Sequence, residues 1–260
     1  MNDPHVEKLF YKVTPSEGTD YDKAPPISGE TVDFKWHLSK DQLAIEMKAH
    51  FATEDEARGI VDEYLKGWEV SIGLLHGPDN LTFKFLKSEI AYRTPNSESS
   101  PNITVNVGTS EMILLTEEVK VHVSHGKFPT RPQNFKLSPE VEMMYLRYKL
   151  YRDGRESLLG MAYWCLTVME YSAGGRPEAA DQYRVDYRVL RKLGELCGNR
   201  GDVREARKMK GNAGITPLKQ TEREWIRAVV KRLILRVGEY AYDPVPKLQP
   251  ITMADFPSIQ

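Results

Sequence analysis

The amino-acid sequence predicts an α+β fold, in which an N-terminal antiparallel sheet with one helix precedes an all-α helical bundle. Apolar residues alternate with a period of two in the first half of the chain, and they recur at helical spacing in the second half. Between the two patterns lies a polar stretch that contains Pro129 and Pro132. We therefore predict a sheet domain over residues 1–130, a helical bundle over residues 138–242 and an extended, proline-containing tail over residues 243–260.

The first strands of the sheet domain are predicted from short apolar runs. Residues 9–11 form an apolar run among prolines and glycines, which predicts an edge strand followed by a loop. Residues 32–38 and 43–47 alternate between apolar and polar side chains on either side of a polar turn at residues 39–42. This second pattern predicts a β-hairpin.

One helix is predicted next, because Thr53 and Glu56 have the spacing of a capping box. Apolar residues then recur on one helical face as far as Trp68, and the helix is expected to end near Gly67.

A second hairpin and further strands are predicted after this helix. Apolar residues alternate over residues 70–74, and the alternation resumes over residues 81–92. The serine- and asparagine-rich residues 94–102 predict an exposed loop. The apolar runs at residues 103–107 and 112–123 predict two or three more strands.

The second half of the chain predicts only helices. The sequence Ser138-Pro139-Glu140 supplies a capping hydroxyl, a proline for the first helical position and a carboxylate for the positive end of the helix dipole. Residues 158–171 are apolar on nearly all sides of a helix, which predicts a central, buried position. Further helices are predicted over residues 178–185, 187–197, 203–210 and 222–241, the last with a capping box at Thr221 and Glu224.

The composition indicates a folded chain in a reducing compartment. The chain has 260 residues, of which 40% are hydrophobic, and no window approaches the roughly 20 apolar residues of a membrane span. The first ten residues mix charges and lack the apolar core of a signal peptide. The two cysteines, Cys165 and Cys197, are predicted to be small buried side chains rather than a disulfide framework. We therefore expect a cytoplasmic protein without a membrane partner.

Histidine chemistry is confined to the first half of the chain, because all six histidines precede residue 126. His122 and His125 lie close together, but residues three apart on a strand point to opposite faces of a sheet. Shared metal ligation is therefore not expected, and neither a metal site nor a cofactor is predicted.

The formal net charge of -1 hides an asymmetry between the two halves. Residues 1–137 contain 15 Lys and Arg against 21 Asp and Glu, whereas residues 138–260 contain 21 against 16. Residues 184–236 alone contain 15 basic and 6 acidic residues. This concentration of positive charge favours an anionic partner.

The candidate binding residues lie in this basic stretch. Arginines at helical spacing on one predicted helix are followed by a similar set on the next, so neighbouring helices would present one face to several phosphates. The candidate residues for binding nucleic acid or another anion are Arg184, Arg188, Arg191, Lys192, Arg204, Arg207, Lys208 and Lys210. An alternative stays open, in which these side chains pair with Glu195, Glu205 or the acidic first half and only stabilise the fold.

Three segments of the C-terminal half share features with a known helical family. They are Tyr151-Arg152-Asp153-Gly154-Arg155 with the apolar helix that runs to Tyr171, residues 189–196, and Arg207-Lys208 with residues 216–224 and the final amphipathic helix. On these segments the C-terminal half resembles a HEPN domain, a compact helical fold of bacterial RNA-cleaving, toxin–antitoxin and antiphage proteins.

The resemblance implies a non-catalytic member of that family. Active members use an arginine and a histidine separated by about four to six residues, the first to stabilise phosphate charge and the second to transfer a proton. Arg204 or Arg207 would take the place of the arginine, but no histidine follows either residue in the chain. By analogy with HEPN proteins that carry an added sensor domain, the sheet half is expected to recognise a partner or a ligand.

The sequence supports one leading hypothesis of function and two rivals. The first is a binding or regulatory protein whose HEPN-like half forms a homodimer or engages RNA, a nucleotide or an acidic protein partner, in a defence or toxin–antitoxin setting. One rival is a metal- or histidine-dependent enzyme with its site in the sheet half, built on His76, His122 or His125. The other is a structural subunit of a larger complex, which the proline-containing tail suggests.

Overall fold

The protein consists of two compact units, residues Met1–Arg131 and Pro132–Gln260, which are called the sheet unit and the helical unit below. The sheet unit contains an antiparallel sheet and a helix, and the helical unit contains a bundle of helices. The predicted α+β fold class is therefore confirmed. The computed structural model describes residues 3–93, 102–107, 123–200, 216–244 and 248–259.

The sheet unit is built around one antiparallel sheet. The strands are β1 (Asp3–Pro15), β2 (Thr19–Asp20), β3 (Ile27–Glu30), β4 (Phe34–Ser39), β5 (Gln42–Met47), β6 (Leu81–Arg93), β7 (Asn102–Val107) and β8 (Val123–Ser124). Six of them pair in the order β3-β4-β5-β1-β6-β7, and β2 pairs with β8. The first predicted hairpin is confirmed as β4 and β5, and the strands predicted at residues 81–92 and 103–107 are confirmed as β6 and β7. Most of the loop predicted at residues 94–102 and of the strands predicted at residues 112–123 lies outside the described residues.

Strand β1 is central, so the prediction of an edge strand at residues 9–11 is wrong. It pairs with β5 on one side and with β6 on the other. The pairing with β6 is irregular between Val6 and Lys8 and again between Phe10 and Tyr11. At the first irregularity β1 has one extra residue, so the buried residues Val6 and Leu9 are three positions apart, which breaks the alternation by which a long strand is recognised.

Helix α1 (Glu54–His76) covers one face of this sheet. It begins where predicted, because Thr53 Oγ1 accepts a hydrogen bond from the backbone N–H of Glu56 at 3.3 Å. The core between helix and sheet contains Val61, Leu65, Trp68 and Ile72 of α1 and Leu9, Tyr11, Leu38, Leu43 and Ile45 of the strands. The opposite face of the sheet carries mostly exposed polar side chains.

The end of α1 differs from the prediction. The helix continues through Gly67 to His76, so the strand predicted at residues 70–74 is wrong. Ser71 and Gly73 are buried together with the apolar residues beside them. Small residues within a buried helix therefore produced the alternation that a strand would show.

The described part of the helical unit contains five α-helices. They are α2 (Pro139–Arg152), α3 (Leu158–Ala173), α4 (Arg176–Gln182), α5 (Tyr187–Asn199) and α6 (Gln220–Tyr242). Helix α3 contacts the other four, and half of its residues are buried, which confirms its predicted central position. The helix predicted at residues 203–210 lies outside the described residues.

The caps of two helices test the predicted helix starts. Helix α2 begins as predicted, with Ser138 Oγ accepting a hydrogen bond from the N–H of Val141 at 3.3 Å. Helix α6 begins earlier than predicted, because the Glu222 carboxylate accepts a hydrogen bond from the N–H of Lys219 at 2.8 Å. The capping contact predicted for Thr221 and Glu224 is therefore replaced by one that starts two residues earlier.

Segments outside the helices complete the core of the helical unit. Phe135 is buried and its ring lies against Gly238, where the N–H of Lys136 also donates a hydrogen bond to the carbonyl oxygen of Gly238. In the tail, Ile251 is buried and pairs with Val185 in a short parallel bridge.

Substitution of Gly238 by alanine is expected to destabilise the protein by about 1–2 kcal/mol. An added methyl group would fall well inside contact distance of the Phe135 ring, and overpacking costs more than the helix propensity of alanine returns. Gly198→Ala in α5 is the matched control, because nothing lies within 4 Å of its added methyl group. That control should raise stability by about 0.5–1 kcal/mol in urea unfolding. Equal effects of the two substitutions would contradict the close packing of the Phe135 ring against Gly238.

Candidate functional site

The structure places half of the candidate binding residues around the start of α5. Arg184 precedes the helix, where its backbone is left-handed with φ of 52°, and the other three lie in its first turns. Three of the four side chains are exposed and Lys192 is half-buried. The described candidates are Arg184, Arg188, Arg191 and Lys192, whereas Arg204, Arg207, Lys208 and Lys210 lie outside the described residues.

Two of these arginines have carboxylate partners on the same helix. The Arg188 guanidinium donates hydrogen bonds to both carboxylate oxygens of Asp186, the shortest at 2.6 Å, and these bonds lower the pKa of Asp186 from its ordinary value. Asp186 also caps α5 by accepting the backbone N–H of Arg188. Arg191 Nε lies 3.4 Å from Glu195 Oε1. Arg188 and Arg191 therefore form ion pairs with carboxylates close to them in sequence, although both side chains are exposed.

A different cluster of cations lies where α2 ends beside the middle of α6. Here a cavity of about 530 Å³ opens between the two helices. Its size falls in the range of roughly 300–1,000 Å³ that is typical of small-molecule sites. The described residues that line it are Tyr148, Tyr151 and Arg152 of α2 and Arg227, Ala228 and Lys231 of α6.

The sequence positions these side chains through helix periodicity. Arg227 and Lys231 are four residues apart on α6, so they share one face of the helix. On α2, Tyr148 and Tyr151 are three residues apart and also share a face. Because α2 and α6 contact each other, the two faces meet around the cavity.

Each tyrosine of the cavity is fixed by an arginine. Arg227 Nε donates a hydrogen bond to the Tyr151 hydroxyl at 2.7 Å, and Arg152 Nη1 donates one to the Tyr148 hydroxyl at 3.3 Å. A tyrosine hydroxyl that accepts a hydrogen bond still has its own proton to donate. The Tyr151 hydroxyl can therefore donate a hydrogen bond to an acceptor bound in the cavity, whereas Tyr148 is 1% exposed and forms part of the buried wall.

The cavity is positively charged. Its described lining has three cations and no carboxylate, and Arg152, Arg227 and Lys231 form no ion pair within the part of the chain that the structure describes. Each guanidinium uses only one nitrogen on a tyrosine, so several N–H donors are left on each arginine. Convergent cations and hydroxyl donors of this kind suit phosphate oxygens, which arginine binds in a bidentate manner.

This cavity was not predicted from the sequence. Arg227 and Lys231 belong to the basic stretch over residues 184–236, and Arg152 belongs to a segment of the family resemblance. The four-residue spacing of Arg227 and Lys231 was the available signal. What the sequence did not show was the packing that brings them to the end of α2.

The histidines of the rival enzyme hypothesis are not brought together in the described structure. His76 is exposed in the last turn of α1, and His125 stacks on Tyr21 with ring centroids 5.3 Å apart. His122 lies outside the described residues. No group of three or more His, Cys, Asp or Glu side chains within the described ranges is arranged to hold a metal ion.

The two cysteines are buried and unbridged, as predicted. Burial raises the pKa of the Cys165 thiol from its ordinary value, which keeps the thiol protonated and unreactive.

Comparisons of the chain with protein-family models, with curated proteins and with solved structures found no match. Among the described helices, none has the combination of length and apolar character that crossing a membrane requires.

Proposed function

We propose that the protein is a non-catalytic binding or regulatory protein whose helical unit binds a phosphate-bearing ligand, either RNA or a nucleotide. The observation that carries the proposal is the cavity between α2 and α6, where Arg152, Arg227 and Lys231 converge with the Tyr151 hydroxyl group. The HEPN resemblance of the same half supports RNA as the source of the phosphate and a defence or toxin–antitoxin setting. In this proposal the module is a degenerate HEPN-like domain, since no histidine follows His125 in the chain.

Phosphate is favoured over an acidic protein by the shape of the site. A concave pocket with three cations encloses a compact, highly charged group, whereas side-chain carboxylates of a protein partner are more often met on a flat surface. The fixed Tyr151 hydroxyl group adds a neutral donor that a phosphate oxygen can use together with the cations.

The binding test uses the full chain and a fluorescent, 5′-phosphorylated single-stranded RNA of 12 nucleotides. Three phosphate contacts predict a slope near -2 for the logarithm of the binding constant against the logarithm of salt concentration. Affinity should therefore fall about 20-fold between 50 and 200 mM salt. Reversing two of the cations in the Arg227→Glu/Lys231→Glu variant should weaken binding at least about 10-fold and make the slope shallower, with a magnitude below about 1. The RNA should be recovered uncut.

The matched control is Lys136→Glu/Arg155→Glu, which changes the net charge by the same amount through two exposed cations of the same unit. It should weaken binding by less than about 3-fold. Only the long-range attraction between the protein and the RNA is reduced, and the cations of the cavity remain. Equal losses in both double variants would contradict a site in the cavity.

Further measurements distinguish RNA, nucleotide and acidic protein as ligands, and they distinguish the cavity between α2 and α6 from the arginines of α5 as the binding site. Competition by ATP would identify a nucleotide-sized phosphate site, and competition only by unlabelled RNA would identify RNA. Binding of a polyglutamate peptide without binding of RNA or ATP would overturn the proposal in favour of an acidic protein partner. The Arg188→Glu/Arg191→Glu variant measures the contribution of α5, and loss of binding there alone would move the site to the residues predicted from sequence.

A further inference from the structure

We propose that the sheet unit has a second binding site, on the exposed face of its sheet, for a neutral planar heteroaromatic compound. A cavity of about 580 Å³ lies on this face, over β1, β3, β4 and β5. The site is in the other unit from the cation-lined cavity, and the inference does not depend on the proposed function of that cavity. The outward-pointing residues that line it are Lys8, Phe10, Ser28, Glu30, Lys35, His37, Ala44 and Glu46.

The centre of the cavity is a gap above Ala44. Phe10 of β1 and His37 of β4 pair with Ala44 of β5 from its two sides, so the three residues form one row across the sheet. Adjacent strands lie about 4.8 Å apart, which places Phe10 and His37 roughly 10 Å apart at the level of the backbone. The methyl side chain of Ala44 leaves the space between them open. One planar ring fits there at the 4.5–7 Å centroid separation, approximately, that aromatic pairs prefer.

Phe10 supplies an apolar wall with one ring face available. The ammonium group of Lys87, on the neighbouring strand β6, lies 4.6 Å from the centroid of the Phe10 ring. Because β6 and β5 lie on opposite sides of β1, Lys87 covers the side of the ring that is turned away from Ala44. The other face of the ring is left for a stacked ligand.

His37 supplies the polar wall on the other side of the gap. Its Nδ1 shares a hydrogen bond of 2.8 Å with Ser28 Oγ on β3, the strand beyond β4. This bond holds the imidazole in place and leaves Nε2 for a second hydrogen bond. A ring nitrogen or an exocyclic group of a heteroaromatic ligand can use Nε2, whereas a plain hydrocarbon ring cannot.

The charges around the gap favour a neutral ligand. The next row of the sheet is Glu89, Lys8, Glu46, Lys35 and Glu30, whose charges alternate in sign from β6 to β3. The members of this row that line the cavity are two lysines and two glutamates, so their charges balance. A multiply charged anion would gain little there, unlike in the cavity of the helical unit.

The experiment is ligand-observed NMR on the full chain with adenosine, guanosine, uridine and indole as probes and ribose as the non-aromatic control. At least one of the heteroaromatic probes should show saturation transfer, and ribose should show none. Ala44→Leu should abolish the signal by filling the gap without removing either wall. Phe10→Ala should weaken binding about 10-fold or more, as expected when a stacked base loses its aromatic partner.

Gln42→Leu provides the matched control for Ala44→Leu. Gln42 lies two residues away on the same face of β5, and the substitution places a leucine of the same size outside the cavity. Binding should be unchanged in this variant. Absence of saturation transfer for every heteroaromatic probe, or equal signals from the Ala44→Leu variant and the wild type, would overturn the inference while leaving the RNA experiment untouched.

Discussion

Replacement of Arg236 by methionine is expected to lower the free energy of unfolding by about 3–5 kcal/mol. Arg236 is 1% exposed, and its guanidinium donates hydrogen bonds to the carbonyl oxygens of Tyr183 at 2.7 Å, Arg184 at 3.1 Å and Gln249 at 2.6 Å. It also donates one to the Glu239 carboxylate at 2.8 Å. Methionine keeps most of the apolar stem but leaves three carbonyl oxygens without this donor, and each buried acceptor left unpaired costs about 1–3 kcal/mol.

Burial also makes the charge of Arg236 costly in isolation. It lowers the pKa of the guanidinium from its ordinary value, the direction expected for a cation that is removed from water. The cost of burying the charge is offset by the hydrogen bonds to the carbonyl oxygens and to Glu239 taken together. Lysine is therefore not an adequate substitute. A single ammonium group cannot reach acceptors on three separate segments, and Arg236→Lys should be nearly as destabilising as Arg236→Met.

Urea unfolding followed by far-UV circular dichroism measures the loss, and Arg232→Met is the matched control. Arg232 donates two hydrogen bonds to the same Glu239 carboxylate, but its side chain is 32% exposed. Its removal should cost about 1 kcal/mol or less. Hydrogen exchange should also rise at residues 248–259 of the Arg236 variant, because Arg236 binds the carbonyl oxygen of Gln249 there. A loss no larger than that of Arg232→Met would contradict the predicted role of Arg236.

The starts of helices were predictable from sequence because their signals are local. Thr53 and Ser138 each satisfy a backbone N–H only three residues away, so the pattern in the sequence is also the contact in the structure. The cap of α6 shows the limit of this reasoning. Two overlapping pairs, Lys219 with Glu222 and Thr221 with Glu224, were available, and the structure uses the first.

The candidate site was less predictable, because it depends on contacts between distant parts of the chain. Arg227 and Tyr151 are separated by 76 residues, and only the packing of α6 on α2 brings them together. The basic stretch over residues 184–236 contains Arg227 and Lys231 but not Arg152, and the sequence could not show which of its cations have partners. Arg188 is paired with the residue that caps its own helix, whereas Lys231 has no ion pair in the described ranges.

Replacement of Trp68 by alanine is expected to destabilise the protein by about 3–5 kcal/mol, the usual range for truncation of a buried tryptophan. Trp68 is fully buried, and its ring packs on Trp36 and Phe83 with centroids 4.9 and 5.2 Å away. The indole N–H also donates a hydrogen bond to the carbonyl oxygen of Pro129 at 3.1 Å. Alanine would leave a cavity in the core between α1 and the sheet and remove this link to the end of the sheet unit.

Trp68→Phe separates the two contributions, since phenylalanine retains much of the ring packing and loses the hydrogen bond. It should cost roughly half as much as Trp68→Ala in urea unfolding. Trp164→Ala is the control for a partly exposed tryptophan, because Trp164 is 39% exposed. This substitution should lower the free energy of unfolding by about 1 kcal/mol. The outcome also tests the length of α1. A helix that ended near Gly67, as the sequence pattern suggested, would leave Trp68 at its frayed end, and the Trp68→Ala loss would then resemble that of Trp164→Ala.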